Sequence, residues 1–228
     1  MSMIINPYVF GAGAPPASFP EIVSHTGVQQ LTSATSHTVT LPAGWSAGQL
    51  CVIVTVVSAA NTTASDPAGW TRVSRYGVGS PALTCDVVWR ILQSGDADPV
   101  FVSTGSGRRA SRLVTFTAGT FNVSSPVIEG ATAALGTSGT TLTVNAGTVS
   151  QASANYLQMN VLARAGVSTG ASVTAYPLAS NQGDTTTGQP CAASACFAEF
   201  TGGTTPGGSW TVSQSCGYRT PVLLIKPA

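Results

Sequence analysis

The sequence predicts an all-β protein: an antiparallel β-sandwich, jelly-roll-like, with an extended N-terminal arm. Three observations predict it. About a dozen short runs rich in β-branched and aromatic residues recur along the chain, alternating with period two and punctuated by Gly, Pro, Asn and Asp. No segment sustains a helical apolar period; the stretch Ser150–Ala154 is too short and too Ser-rich to nucleate a helix alone. Turn formers are abundant, with 25 Gly and 14 Pro in 228 residues. Single all-β domains commonly reach about 200–250 residues, so one core accommodates the chain.

The arm comes first. Residues 1–27 read as an extended attachment segment and residues 28–228 as one sandwich domain. The stretch INPYVFGAGAPPASFP sets Tyr8, Phe10 and Phe19 among Pro7, Pro15, Pro16 and Pro20. Proline fixes φ and removes a donor, which excludes a helix or a central strand here. Ile4, Ile5, Pro7, Tyr8, Phe10 and Phe19 are therefore candidate docking anchors. They either fold back over their own domain or reach a neighbouring subunit.

From Val28 onward the strand signals fall at His37–Leu41, Leu50–Val57, Thr71–Tyr76, Leu83–Leu92, Val100–Ser103, Ser111–Thr117, Thr141–Val144, Tyr156–Ala163, Ser172–Tyr176, Ala195–Phe200, Ser209–Ser213 and Pro221–Ile225. The run Leu50–Val57 is apolar on both faces, which predicts a central strand covered on both sides. In Leu83–Leu92 the alternation puts Leu83, Cys85, Val87, Trp89 and Ile91 on one face. Gly105-Ser106-Gly107 reads as a hairpin-like loop. The terminal run to Ile225 is expected to pair inside a sheet.

Two turns share a form. Leu41-Pro42-Ala43-Gly44-Trp45 and Asp66-Pro67-Ala68-Gly69-Trp70 each place Pro-Ala-Gly directly before an indole. They are expected at one end of the sandwich. Trp45 and Trp70 either staple these turns, the simpler use, or offer a stacking platform for sugars.

Charge narrows the function. Charged residues make up 7% of the chain, against a usual value of about 25%, and the net charge is +1. A surface whose polarity comes from hydroxyls and amides can pack against copies without desolvating ions, each costing several kcal/mol when buried. A single Lys and the small group Arg108, Arg109 and Arg112 make no phosphate footprint, which argues against nucleic acid. No run approaches the ~18 apolar residues of a membrane helix. The start lacks a basic, apolar leader, so synthesis in a cytoplasm without an export signal is expected.

The residues give no reaction centre. A zinc site needs suitably spaced ligands, and the five Cys contain no Cys-x-x-Cys pair. His25 and His37 sit in Thr/Ser-rich sequence, no Gly-x-Ser-x-Gly elbow occurs, and most acids lie in turns. The sequence therefore reads as non-enzymatic, without a cofactor or metal. Cys51 and Cys85 read as buried thiols. Cys191, Cys196 and Cys216 lie in or near turn-rich sequence and are candidates for a disulfide under oxidising conditions. The odd count leaves room for a bridge between chains.

A resemblance sharpens this. The opening Ile4-Ile5-Asn6-Pro7-Tyr8-Val9-Phe10, then SHTVTLPAGWSAGQLCVIVTV, PAGWTRVSRYG, VVWRILQSGDADPVFVST and the closing TPVLLIKPA, resemble accessory structural proteins of tailed bacteriophages. The likeness covers nearly the whole chain. It implies a virion component, a surface-exposed decoration or tail- or fibre-associated protein held by its arm. The implied partners are other virion proteins and copies of itself, as a homo-oligomer for which family analogy favours a trimer. The alternative is an adhesion module binding a receptor or host-surface glycan, through Trp45, Trp70 or the loops around Gly183 and Gly202. Two departures stand out: there is no collagen-like or coiled-coil stalk, and the chain is rich in Cys for such a module.

Overall fold

The computed structural model describes residues 18–58, 64–78, 82–136, 138–146, 155–165, 171–174, 191–205, 207–212 and 215–228, and every regular element among them is a strand. In order these are β1 (Ile22–Thr38), β2 (Leu50–Val57), β3 (Ala64–Ser65), β4 (Thr71–Val78), β5 (Leu83–Ile91), β6 (Val100–Phe116), β7 (Val127–Gly136), β8 (Thr141–Val144), β9 (Asn155–Ala165), β10 (Ala171–Thr174), β11 (Cys191–Thr201), β12 (Gly208–Val212) and β13 (Tyr218–Ile225).

The strands form three antiparallel sheets. The first has the order β1-β6-β2-β5-β4, with β3 paired to β6; the second is β11-β9-β13-β7; the third is β10-β12-β8. The first sheet comes from the first half of the chain and the other two from the second half.

Alternation explains the stacking. Leu50, Val52, Val54 and Val56 of β2 meet Leu157, Met159, Val161 and Ala163 of β9 and Leu223 and Ile225 of β13 in the main core. The opposite face of the second sheet presents Leu162, Cys196 and Val222 to Leu142, Val144, Trp210 and Val212 of the third sheet. The second sheet is thus the middle layer, packed on both faces. The first sheet also carries an outer cluster, where Cys51 and Ile53 of β2 join Val39, Leu41, Val88, Leu92, Phe101 and Leu113. Strand β2 is buried at every position, because both of its faces are covered.

Three expectations need correction. The arm does not extend to residue 27: β1 begins at Ile22 and pairs with β6, Ile22 opposite Phe116 and Val28 opposite Ser111. Its Thr, Ser and Gln content hid a strand whose stability comes from its neighbour. Strand β7 was also missed, since VIEGATAALG holds only three large apolar residues, Val127, Ile128 and Leu135, and no period-two alternation. The Gly105-Ser106-Gly107 segment is not a hairpin loop; it lies within the 17-residue strand β6.

That strand turns back on itself. The Arg109 guanidinium lies 5.2 Å from the ring centroid of Phe101, eight residues earlier on the same strand. A straight strand would separate the two positions by roughly 26 Å at about 3.3 Å per residue. In β1 the same bend brings His37 Nδ1 to the side-chain amide of Gln30. Register shifts between Gln30 and Ala34 and between Ala34 and Ser36 absorb the bend. Gly107 makes the corner sterically feasible, for a Cβ there would lie 2.9 Å from Val57 Cγ2. The far half of the β1/β6 ribbon therefore lies across the outer face of its own sheet.

Candidate binding surface

Burial beneath the ribbon concentrates polar groups on the outer face of the first sheet. Thr55, Asp86, Arg109, Ser111 and His37 are all buried. Arg75 of β4 donates from Nε to Asp86 Oδ1, Arg109 Nη1 approaches Thr55 Oγ1 at 3.4 Å, and Thr55 and Ser111 share a hydroxyl hydrogen bond of 2.8 Å. Burial raises the Asp86 carboxyl, opposed by Arg75 and Arg109. Burial likewise pulls Arg109 down to about 10, opposed by Asp86. His37 is lowered by burial and by the Arg109 charge, while its Nε2 donates to Ala34 O at 2.9 Å. This nest fastens the ribbon to the sheet. Its members were visible in the sequence only singly, because the bend that gathers them has no local signature.

The two indole turns lie at one end of the strands, as the sequence implies. Trp45 N donates to Pro42 O at 3.4 Å and Trp70 N to Pro67 O at 3.1 Å. Gly44 and Gly69 sit at φ of 75° and 78°, the left-handed third position of a type II turn. Both indoles are half-buried against the outer cluster. They differ in surroundings. Trp70 lines a cleft of about 380 Å³ with Pro67, Arg90, Asp96, Asp98 and Pro99, and Trp45 is not among its lining residues. Arg90 spans the cleft, donating from Nε to Asp96 Oδ2 at 2.8 Å and from Nη2 to Asp96 Oδ1 at 2.6 Å. Asp98 Oδ1 accepts from Leu41 N at 2.8 Å.

The arm joins the body at the same end. Phe19 is half-buried and Pro20 buried. Glu21 N donates to Thr120 Oγ1 at 3.1 Å, and Thr117 N to Glu21 O at 2.8 Å. Ser18, Phe19, Pro20 and Ile22 form one wall of a groove of about 450 Å³ whose other side includes Thr120, Leu157 and Glu199. The anchors Ile4, Ile5, Pro7, Tyr8 and Phe10 lie outside the described residues, as does Gly183.

The five cysteines are free, buried thiols. Cys191 faces the main core and hydrogen-bonds the carbonyls of Arg108 and Val56 at 3.4 and 3.5 Å. Cys196 faces the third sheet, in the same cluster as Cys216. Cys191 and Cys196 thus point to opposite faces of β11 and are not disulfide partners. Burial pushes Cys196 up to about 12 and also raises Cys216.

Most of the few charges are occupied internally. Arg72 pairs with Asp66 at 2.6 Å, Arg75 with Asp86, and Arg90 with Asp96. Tyr76 donates to Glu129, and Arg219 stacks over Tyr76 while donating to Gly77 O at 3.2 Å. Among the described residues no three His, Cys, Asp or Glu side chains gather into a metal-holding group. Comparison with protein-family models, with curated proteins and with solved structures finds no match.

Proposed function

We propose that this chain is a structural surface component of a tailed-phage virion, attached through its N-terminal arm and packed against copies of itself. The observation that carries this reading is the charge-poor exterior. Nine Lys and Arg and eight Asp and Glu serve 228 residues, and the pairs Arg72–Asp66, Arg75–Asp86 and Arg90–Asp96 occupy six of them. What remains exposed is largely hydroxyl, amide and aliphatic, which a partner covers with little ion desolvation. The tethering of residues 19–21 beside an apolar groove supports attachment at that end. The test is co-sedimentation with intact virions from an infected culture. The full chain is expected in the particle fraction, and Tyr8→Ala with Phe10→Ala in the supernatant. Recovery of the unaltered chain wholly in the supernatant would overturn the reading.

The Trp70 cleft favours a second reading, a glycan-binding adhesion module. An indole beside a planar Arg–Asp pair and the exposed Asp98 suits the apolar face and hydroxyls of a sugar ring. The cleft and the arm share one end of the strands, which favours the first reading, since that end would face the particle. On a glycan array, adhesion predicts a signal that Trp70→Ala removes and Trp45→Ala keeps; a blank array dismisses it.

A further inference from the structure

Strand β1 closes one side of the first sheet; apart from the register shifts that flank Ser24–Gln30, it carries none of the usual protection of an edge among the described residues. Exposed edges are normally blunted by charge, proline or brevity, because their unpaired N–H and C=O groups recruit other strands. Among the described strands the other long edges follow that rule: β4 carries Arg72 and Arg75, β7 carries Glu129 and β11 carries Glu199. The edges β8 and β10 are four residues each. Strand β1 runs 17 residues without Asp, Glu, Lys, Arg or Pro.

Its side chains are arranged symmetrically. The uninterrupted register runs from Ser24 to Gln30, and Gly27 is its centre. Two large apolar residues are exposed on β1, Val23 at 48% and Leu31 at 54%. They stand four residues to either side of Gly27. An antiparallel partner of the same sequence, centred on Gly27, sets Val23 opposite Leu31, Ser24 opposite Gln30, His25 opposite Gln29 and Thr26 opposite Val28. A two-fold interface requires such self-complementarity, and an uncharged strand brings no like charges together.

We infer that β1 pairs with β1 of a second copy, joining two first sheets into one continuous sheet across a two-fold axis at Gly27. This names the self-contact on which the proposed assembly rests, and it is independent of the arm. The inferred unit is a dimer, in place of the trimer that family analogy favours.

The test is the solution mass of the full chain by light scattering or sedimentation. The expected mass is twice 22.9 kDa. Val23→Lys with Leu31→Lys places like charges opposite each other and is expected to give monomer, with an unchanged far-UV spectrum. Val23→Lys with Leu31→Glu places Lys opposite Glu and is expected to restore the dimer. Leu135→Lys, at a residue 51% exposed on β7 of the second sheet, is expected to leave it intact. A monomeric native chain, a trimer, a dimer that survives the double-Lys change, or equal dissociation by both double variants would overturn the inference. Arm variants that leave the particle yet keep the dimer mass separate failure of attachment from failure of strand pairing.

Discussion

Burial beneath the folded ribbon lowers the pKa of His37. Its native pKa is lowered, first by burial and then by the Arg109 charge, from an unfolded value of 6.5. The unfolded chain therefore takes up its proton at a higher pH than the native protein does, so this contribution to stability is present above the unfolded value and is lost as pH falls through the native one. His37→Gln keeps an amide in place of the ring but cannot titrate. The difference in Tm between pH 7 and pH 5 is expected to shrink in the variant; an unchanged difference would remove His37 as the cause. The cysteines provide a second measurement. Each is buried, and burial raises Cys51, Cys85, Cys196 and Cys216, so the nucleophilic thiolate is scarce as well as shielded. A thiol reagent at pH 8 is expected to find almost none of the five in the native chain and all five in guanidinium. Rapid native labelling of even two would contradict the packing described.

The paired turns test what an indole staple needs. Gly44 and Gly69 have nearly the same φ, but a Cβ at Gly44 meets nothing within 4 Å, whereas one at Gly69 would lie 1.8 Å from Arg90 Nη1. Gly44→Ala is expected to cost about 1 kcal/mol, the left-handed backbone penalty alone. Gly69→Ala carries that penalty and must also displace Arg90 from Asp96, so its loss of stability in urea unfolding is expected to be clearly larger. Equal losses would show that Arg90 moves aside freely. These turns were legible because Pro-Ala-Gly states its own geometry. So was Leu50–Val57, whose bounds match β2, since an unbroken apolar run has no alternative to full burial. Strand β1 was not legible: Ser24, Thr26, Gln29 and Gln30 carry no apolar alternation, and only pairing with β6 makes them a strand. The Arg109–Phe101–His37 nest was illegible for a related reason, because it depends on a bend set by register shifts between two distant segments. The same hidden strand supplies the self-complementary edge.

The molecule as a whole depends on its middle layer, which has no solvent face where the other two sheets cover it. Trp210 of the third sheet is fully buried against it, with its indole N–H unpaired. Trp210→Ala is expected to destabilise by about 3–5 kcal/mol in chemical denaturation. Trp210→Phe retains the aromatic packing and removes the unpaired donor, so it is expected to cost much less. If both cost the same, the indole N–H has a partner that matters. The middle layer also dictates an order of events during synthesis. Strands β1 to β6 are complete once residue 116 has left the ribosome, and their sheet is free to assemble early. Strand β9 has no partner until β11 emerges, and β13, which pairs with both β9 and β7, follows about a hundred residues after β6. Through that interval the nascent chain carries an open seam of aliphatic side chains. Chains stalled before Tyr218 are therefore the form that chaperones should capture, and release of the finished polypeptide is the moment at which that capture should cease.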